Sequence, residues 1–402
     1  MKQTRNSRWL LISLLLLGIA LPVGSQQPQK PAVERMEGHL ATPERLEFSE
    51  SLLQQLKMPA GFEISVFAKD LGNPRMIAVG SDGTVYVTRR EQGDVLALKD
   101  TTGDGRADKQ TTVASKLPFV NGITIHQNRL YFVTDKQLYA ADLQQDGTVG
   151  QPQILIDDLP DGGQHPNRTL GFGPDGMMYL SVGSSCNACD EPNKEHATLL
   201  QAPMDGSRRT IYASGLRNTI GFAWHPETGE LWGMDHGSDW RGDDQPPEEL
   251  NRIQQGQNYG WPFCYADRRP DVYLSANPKE MTKEEYCAKT EAPVLTYQAH
   301  SAPLDLVFYT GSQFPQEYNG DAFVTMRGSW NRNPPVGYKV VRVRFQNGQP
   351  VAFEDFITGF LREDQMAQFG RPVGLGLAPD GSLMFTDDTN GVIYRVSYNG
   401  SR

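Results

Sequence analysis

One unit recurs along most of this chain: an apolar strand, a turn that often carries Asp-Gly, and a second strand centred on a large apolar residue. Pro74-Arg75-Met76-Ile77-Ala78-Val79 turns at Asp82-Gly83 into Val85-Tyr86-Val87, and Asn121-Gly122-Ile123-Thr124-Ile125 turns into Leu130-Tyr131-Phe132. The same pattern returns around Tyr179, Trp232, Phe323 and Met384. Between these six centres the spacings are 45, 48, 53, 91 and 61 residues, the period of four-stranded repeat sheets. A four-stranded sheet of that size cannot bury both of its faces alone, so such units stack radially around an axis. The expected fold is therefore all-β, a six-bladed β-propeller over residues 56–400. The long interval predicts an insertion at about residues 254–300, between blades 4 and 5, with Cys264, Cys287 and a helical stretch near Met281 to Lys289. Two separate β-sandwiches would not explain one motif spread over the whole chain.

Ahead of the repeats, Lys2, Arg5 and Arg8 precede an apolar run from Trp9 to Val23 that ends in small residues at Gly24 and Ser25. Residues 1–25 read as a signal peptide, too short in its apolar run to span a bilayer. Residues 26–55, rich in Gln, Glu and Pro, read as an N-terminal extension. The mature chain is expected to be periplasmic or secreted, without a membrane span. The formal net charge of -10 becomes more negative by three when Lys2, Arg5 and Arg8 leave, which argues against nucleic acid as a partner. An even set of four cysteines fits an oxidising compartment and predicts the disulfides Cys186–Cys189 and Cys264–Cys287. A zinc half-site, a redox dithiol or a haem attachment are the other uses of Cys-x-x-Cys, but Cys189 is followed by Asp190 rather than His, and no second close pair exists.

In a propeller the loops that lead into the innermost strands meet at one mouth of the channel. Those slots hold Arg75, Asn121, His165 with Arg168, Arg217-Asn218, His300-Ser301 and Arg371, with Arg327 following the fifth unit. Guanidiniums gathered around one opening repel each other unless a polyanion lies between them, so the pattern predicts a small ligand with several carboxylates or phosphates. Taken singly, each arginine is more commonly paired with an acid. His165 sits in the glycine-bearing loop Asp161-Gly162-Gly163-Gln164-His165, a place suited to a general base. Asp235-His236-Gly237-Ser238-Asp239 and Asp100-Thr101-Thr102-Gly103-Asp104-Gly105-Arg106-Ala107-Asp108 are oxygen-rich loops that could hold calcium. The second lacks the closing glutamate of a calcium loop, with Thr111 in its place, so Asp100, Asp104 and Asp108 form at best a weak structural site.

These motifs, together with Asn258-Tyr259-Gly260-Trp261-Pro262, Gly328-Ser329-Trp330-Asn331-Arg332 and Gly370-Arg371-Pro372-Val373-Gly374, resemble the glucose/sorbosone dehydrogenase family. Its members are soluble sugar dehydrogenases dependent on pyrroloquinoline quinone (PQQ), and the likeness is greatest to the sorbosone-type branch. The resemblance implies a six-bladed propeller with PQQ, a tricarboxylate, at the channel mouth. It implies His165 as the base that takes the sugar hydroxyl proton, Arg217 at the quinone oxygens, and Asn218, Arg327 and Arg371 as cofactor ligands; the slot argument adds Arg75 and Asn121. It also implies site calcium on the backbone carbonyls of Gly237 and Ser238. Arg327 stands where glucose-oxidising relatives carry lysine, and Phe369 and Arg371 where they carry two arginines.

The expected activity is oxidation of an aldose or sugar aldehyde, with electrons handed to a separate acceptor such as a cytochrome or quinone. A calcium-dependent lactonase-type hydrolase and a non-enzymatic carbohydrate-binding propeller are the alternatives. A neutral lactone, however, gives no reason for Arg75, Arg217, Arg327 and Arg371 to gather.

Overall fold

The computed structural model describes residues 36–144 and 146–400. The proposed signal peptide lies outside the described residues, as does the first part of the proposed extension. Among the described residues the protein is all-β, with six four-stranded antiparallel sheets. The first runs Pro74–Val79, Val85–Arg89, Asp94–Lys99, Lys109–Ser115. The second runs Ile123–His126, Arg129–Val133, Leu138–Asp142, Gln153–Ile156, and the third Leu170–Phe172, Met178–Val182, Thr198–Ala202, Thr210–Ser214. The fourth takes Phe222–Trp224, Leu231–Asp235, Glu248–Ile253 and Leu295–Tyr297. The fifth takes Pro303–Phe308, Ala322–Met326, Lys339–Gln346 and Gln349–Ile357. The sixth joins the two ends of the chain: Pro372–Leu377, Leu383–Asp387 and Val392–Tyr398 are completed by Phe62–Ala68, which pairs antiparallel with Val392–Tyr398.

The six repeat centres lie in the second strands, and Tyr86, Tyr131, Tyr179, Trp232, Phe323 and Met384 are all buried. Each such side chain contributes roughly 2 kcal/mol by leaving water, which is why the repeat was visible as a hydrophobic period. Contacts from the first- or second-strand region of each sheet to the first-strand region of the next link the sheets in order. Thr88 donates to the Asn121 carbonyl (2.6 Å), the Gly122 N–H to the Arg168 carbonyl (2.9 Å) and Thr169 to the Ile220 carbonyl (2.5 Å). A Cβ on Gly221 would stand 2.6 Å from Asp305 backbone, so glycine permits that approach. Thr325 then donates to the Val373 carbonyl (2.5 Å), and Thr386 of the sixth sheet to the Arg75 carbonyl of the first (2.6 Å).

The long excursion lies inside the fourth sheet, between its third and fourth strands, because Leu295–Tyr297 pairs with Glu248–Leu250. Spacing between second strands places extra chain in an interval but cannot say on which side of a fourth strand it falls, which is why it was expected between sheets. The excursion carries the hairpin Cys264–Tyr265 with Arg269–Pro270 and the helix Lys283–Cys287. That helix is too short to persist alone. Thr282 and Glu285 cap it reciprocally, and the Cys264–Cys287 disulfide ties it to the hairpin. Residues 36–55 make specific contacts: Glu44–Arg45 pairs in parallel with Ala367–Gln368, and the Ala41 N–H reaches the Trp330 carbonyl. Among the described residues no helix is long and apolar enough to cross a membrane.

Candidate active site

Loops flanking the first and second strands of several sheets line one cavity of about 310 Å³. It gathers Arg75, His165, Arg217, Asn218, Gly237, Arg327 and Arg371 from segments far apart in sequence.

His165 is aimed by Ser184. Its Nδ1 lies 2.9 Å from the Ser184 carbonyl and 2.8 Å from Ser184 Oγ, which donates onward to the Cys186 carbonyl. A carbonyl only accepts, so Nδ1 carries the proton and Nε2 keeps its lone pair. Burial, then the positive charge of Arg217, push the His165 pKa down to about 2, so the ring is a neutral base. Among the described residues no carboxylate bonds the ring; the Ser184 carbonyl and hydroxyl orient it.

Arg217 is held from both sides. Its Nε donates to the Asn187 carbonyl and its Nη2 to Asn187 Oδ1 (both 2.9 Å), while Nη2 also meets Asp239 Oδ2 at 3.0 Å. Asn187 sits in the tight loop closed by the Cys186–Cys189 disulfide. Buried Asp235 fixes the backbone there, accepting from the N–H groups of Arg217 and Asn218 and from Thr219 Oγ1.

The opposite wall is cationic. Arg75 (2.5 Å) and Arg327 (2.9 Å) share the one carboxylate of Asp388. Arg371 donates instead to the carbonyls of Arg327 (3.0 Å) and Gly328 (2.6 Å) and stands 5.4 Å over the Tyr338 ring. Two guanidiniums thus share one carboxylate, and the third has only carbonyl partners. Burial lowers the pKa of Arg75 and of Arg371 to about 10, with Arg327 adding repulsion to both. Beside them Arg90 and Glu91 also line the cavity, so four guanidiniums stand against the carboxylates of Asp388 and Glu91. Such a wall fits an anion with several carboxylates, and Asn167 adds a buried Oδ1 without a partner. On the Arg217 side, Gly237, Asp239 and Glu248 bring oxygens of the kind a hard cation takes.

Several expected residues sit elsewhere. Asn121 is fully buried behind the wall, where its Oδ1 accepts from Arg75 Nε (3.2 Å) and its Nδ2 donates to the Arg168 carbonyl (3.1 Å). Arg168 is buried too and donates to the carbonyls of His165, Pro160 and Asp161, so it builds the loop. Ser238 is buried beside Gly237. Asp100, Asp104 and Asp108 do not converge: Asp100 accepts the N–H groups of Thr102, Gly103 and Gly105, Asp108 those of Thr101 and Thr102, and Asp104 that of Arg106. Among the described residues, the only trio of potential ligand atoms close enough to share an ion is Cys186, Cys189 and Glu191, and those cysteines are joined in a disulfide. Phe369 packs in the aromatic core, 5.3 Å from Phe360, and leaves Arg371 as the arginine of that loop facing the cavity. Sequence reasoning missed Asp388, Arg90, Ser184 and Asn187.

With this geometry in place, the likeness to known proteins becomes specific. The TrAA12-like family matches residues 56–399. The chain belongs to this family, within the PQQ-dependent soluble sugar dehydrogenases. It is 26% identical over 394 residues to a PQQ-dependent sugar dehydrogenase of Hypocrea jecorina, covering 83% of this chain and 87% of that one. It is 24% identical over 407 residues to a PQQ-dependent pyranose dehydrogenase of Coprinopsis cinerea, covering 85% of this chain but only 54% of that protein's length. The calcium structure of a Trichoderma reesei family AA12 enzyme superposes with a TM-score of 0.74 at 25% identity, over 85% of this chain and 97% of that one.

Proposed function

We propose that this TrAA12-like protein is an exported quinoprotein that oxidises an aldose or sugar aldehyde, sorbosone-like in its reacting group, on a six-bladed propeller. The carrying observation is the excess of guanidinium over carboxylate beside a neutral imidazole. An anion with several carboxylates relieves that excess, and a neutral lactone does not. The named activities of the relatives support an oxidoreductase with PQQ and calcium.

On this reading Arg75, Arg327 and Arg371 bind the cofactor's carboxylates, and Asn218 lies beside it. The backbone of Gly237 and Ser238 supplies calcium ligands. When bound, the quinone with its calcium supplies the acceptor for the hydride leaving the sugar's C1. His165 Nε2 takes the sugar's hydroxyl proton, while the Ser184 carbonyl holds the Nδ1 proton and keeps the ring from turning. Arg217 places a fixed positive charge at the reacting oxygens, and Asn187 and Asp239 stop it from swinging away. A separate cytochrome or quinone removes the electrons. The test is reconstitution with PQQ and calcium followed by dye reduction over a sugar panel. Cofactor-dependent reduction is expected, and turnover of lactones without quinone would overturn the reading.

A further inference from the structure

Two of the largest apolar side chains at the surface stand together at the mouth of the cavity. Trp240 is 51% and Trp330 42% exposed, and their rings meet edge to face with centroids 5.3 Å apart. Trp330 lines the cavity that also holds His165 and Arg217. Leaving two indoles in water forgoes their burial, a cost that chance exposure of this size seldom explains.

The loops beneath the rings are tied to each other. Asn331 Nδ2, next to Trp330, donates to Asp239 Oδ1 (2.7 Å), next to Trp240. Arg332 Nη1 binds Asp244 Oδ1 (2.6 Å) and the Asp243 carbonyl. Asp239 is also the carboxylate that meets Arg217. The indole pair is therefore fixed to the same frame as the arginine of the site. Trp240 has φ of +63°, a left-handed conformation that a bulky residue adopts only when its surroundings impose it. The fold holds an exposed indole in a strained position beside a cavity rich in charged groups.

We infer that Trp330, braced edge-on by Trp240, is the platform on which the apolar C–H face of a pyranose ring stacks as it enters the cavity. A sugar ring has polar edges that suit the charged walls and a C–H face that needs an apolar surface, which the flat indole provides. The inference rests on the sugar-dehydrogenase reading for its ligand class, and its test does not depend on quinone.

Calorimetric titration of the protein without cofactor by glucose, galactose, xylose and cellobiose, compared with Trp330→Ala and Trp240→Ala, reads the platform directly. At least one sugar should bind the native chain, with affinity about tenfold weaker in Trp330→Ala, the loss of roughly 1.4 kcal/mol, and a smaller loss in Trp240→Ala. Quinone affinity, followed by absorbance, should stay unchanged in both variants. Equal sugar binding by Trp330→Ala and the native chain, or none by the native chain, overturns the platform. Equal sugar binding together with loss of electron transfer to a protein acceptor would assign the pair to a docking face instead. Sugar binding that depends on Trp330 in a chain that takes up no quinone would keep the platform and sink the dehydrogenase reading.

Discussion

Asn187 grips Arg217 at two points, accepting from Nε through its backbone carbonyl and from Nη2 through its side-chain oxygen, each at 2.9 Å. The grip is only as firm as the loop behind it, and that loop is closed by the Cys186–Cys189 disulfide and anchored where Glu191 accepts from the Ser185 N–H and hydroxyl (both 2.6 Å).

Asn187→Ala removes one charged hydrogen bond, the bond from Asn187 Nδ2 to the Asp239 carbonyl and the bond from the Asp239 N–H to Asn187 Oδ1. A hydrogen bond to a charged group is worth about 1.5–3 kcal/mol, so kcat/KM should fall about 10- to 100-fold. Melting temperature should fall by only a few degrees, since the same bonds brace the folded loop while the apolar core is untouched. Removal of the Cys186–Cys189 disulfide should act in the same direction. Steady-state kinetics of this variant and of Cys186→Ser/Cys189→Ser, beside the native enzyme, check both; unchanged kinetics would show that Arg217 needs no such support.

Asp388 is the one counter-charge that Arg75 and Arg327 share, with its side chain only 2% exposed. Asp388→Asn leaves the buried guanidinium of Arg75 without its counter-charge, a change that costs about 3–5 kcal/mol, while Arg327 is partly exposed to water. The variant should unfold at lower temperature, and citrate, a small tricarboxylate, should raise its melting point more than that of the native chain. Thermal denaturation with and without citrate reads this, and equal shifts in the two proteins would refute the role given to the cationic wall.

Asn187 and Asp388 carry no signal of these roles in the sequence, whereas the repeats do. The repeat centres are apolar and buried, so the period of Tyr86, Tyr131, Tyr179, Trp232, Phe323 and Met384 exposed the sheets without any site knowledge. The loops leading into first strands gave His165, Arg217 and Arg371. A second slot, directly after four of the six second strands, also lines the cavity: Arg90, His236, Arg327 and Asp388 occupy it. Arg90 and Asp388 each follow another charged residue at a strand end, so nothing in the sequence sets them apart from surface charges as Arg327 is set apart by the apolar strand before it. Asn121 misled because its slot matches Arg75's in sequence while its side chain turns inward to the Arg168 carbonyl. Ser184 acts on His165 through a backbone oxygen, which no residue type announces.

His165 also predicts an acid limb of stability. Its folded pKa of about 2 lies below the unfolded value of about 6.5, so the unfolded chain takes up the proton first. The stability this group contributes is complete above about pH 6.5 and declines as pH falls toward the folded value, by up to about 1.4 kcal/mol per pH unit. Urea denaturation between pH 7 and pH 4 should show a shallower decline for His165→Gln than for the native chain. Parallel declines would mean that the buried imidazole titrates normally.

The Cys264–Cys287 disulfide closes a loop of 23 residues around the short helix Lys283–Cys287. Replacing both cysteines by serine should cost about 3 kcal/mol on the loop-entropy estimate. Limited proteolysis should then cut within residues 266–287 first. A variant as stable and as protease-resistant as the native chain would show that Lys283, which donates to the Asp271 and Leu274 carbonyls, holds the segment unaided.

Absorbance titration of the calcium-loaded protein with PQQ tests the central claim most directly, alongside Arg371→Ala and Arg327→Ala. Saturable one-to-one binding by the native chain, about tenfold weaker or more in each variant, is the predicted result. No uptake by the native chain, or uptake indifferent to both arginines, would contradict a cationic wall built to hold a polycarboxylate.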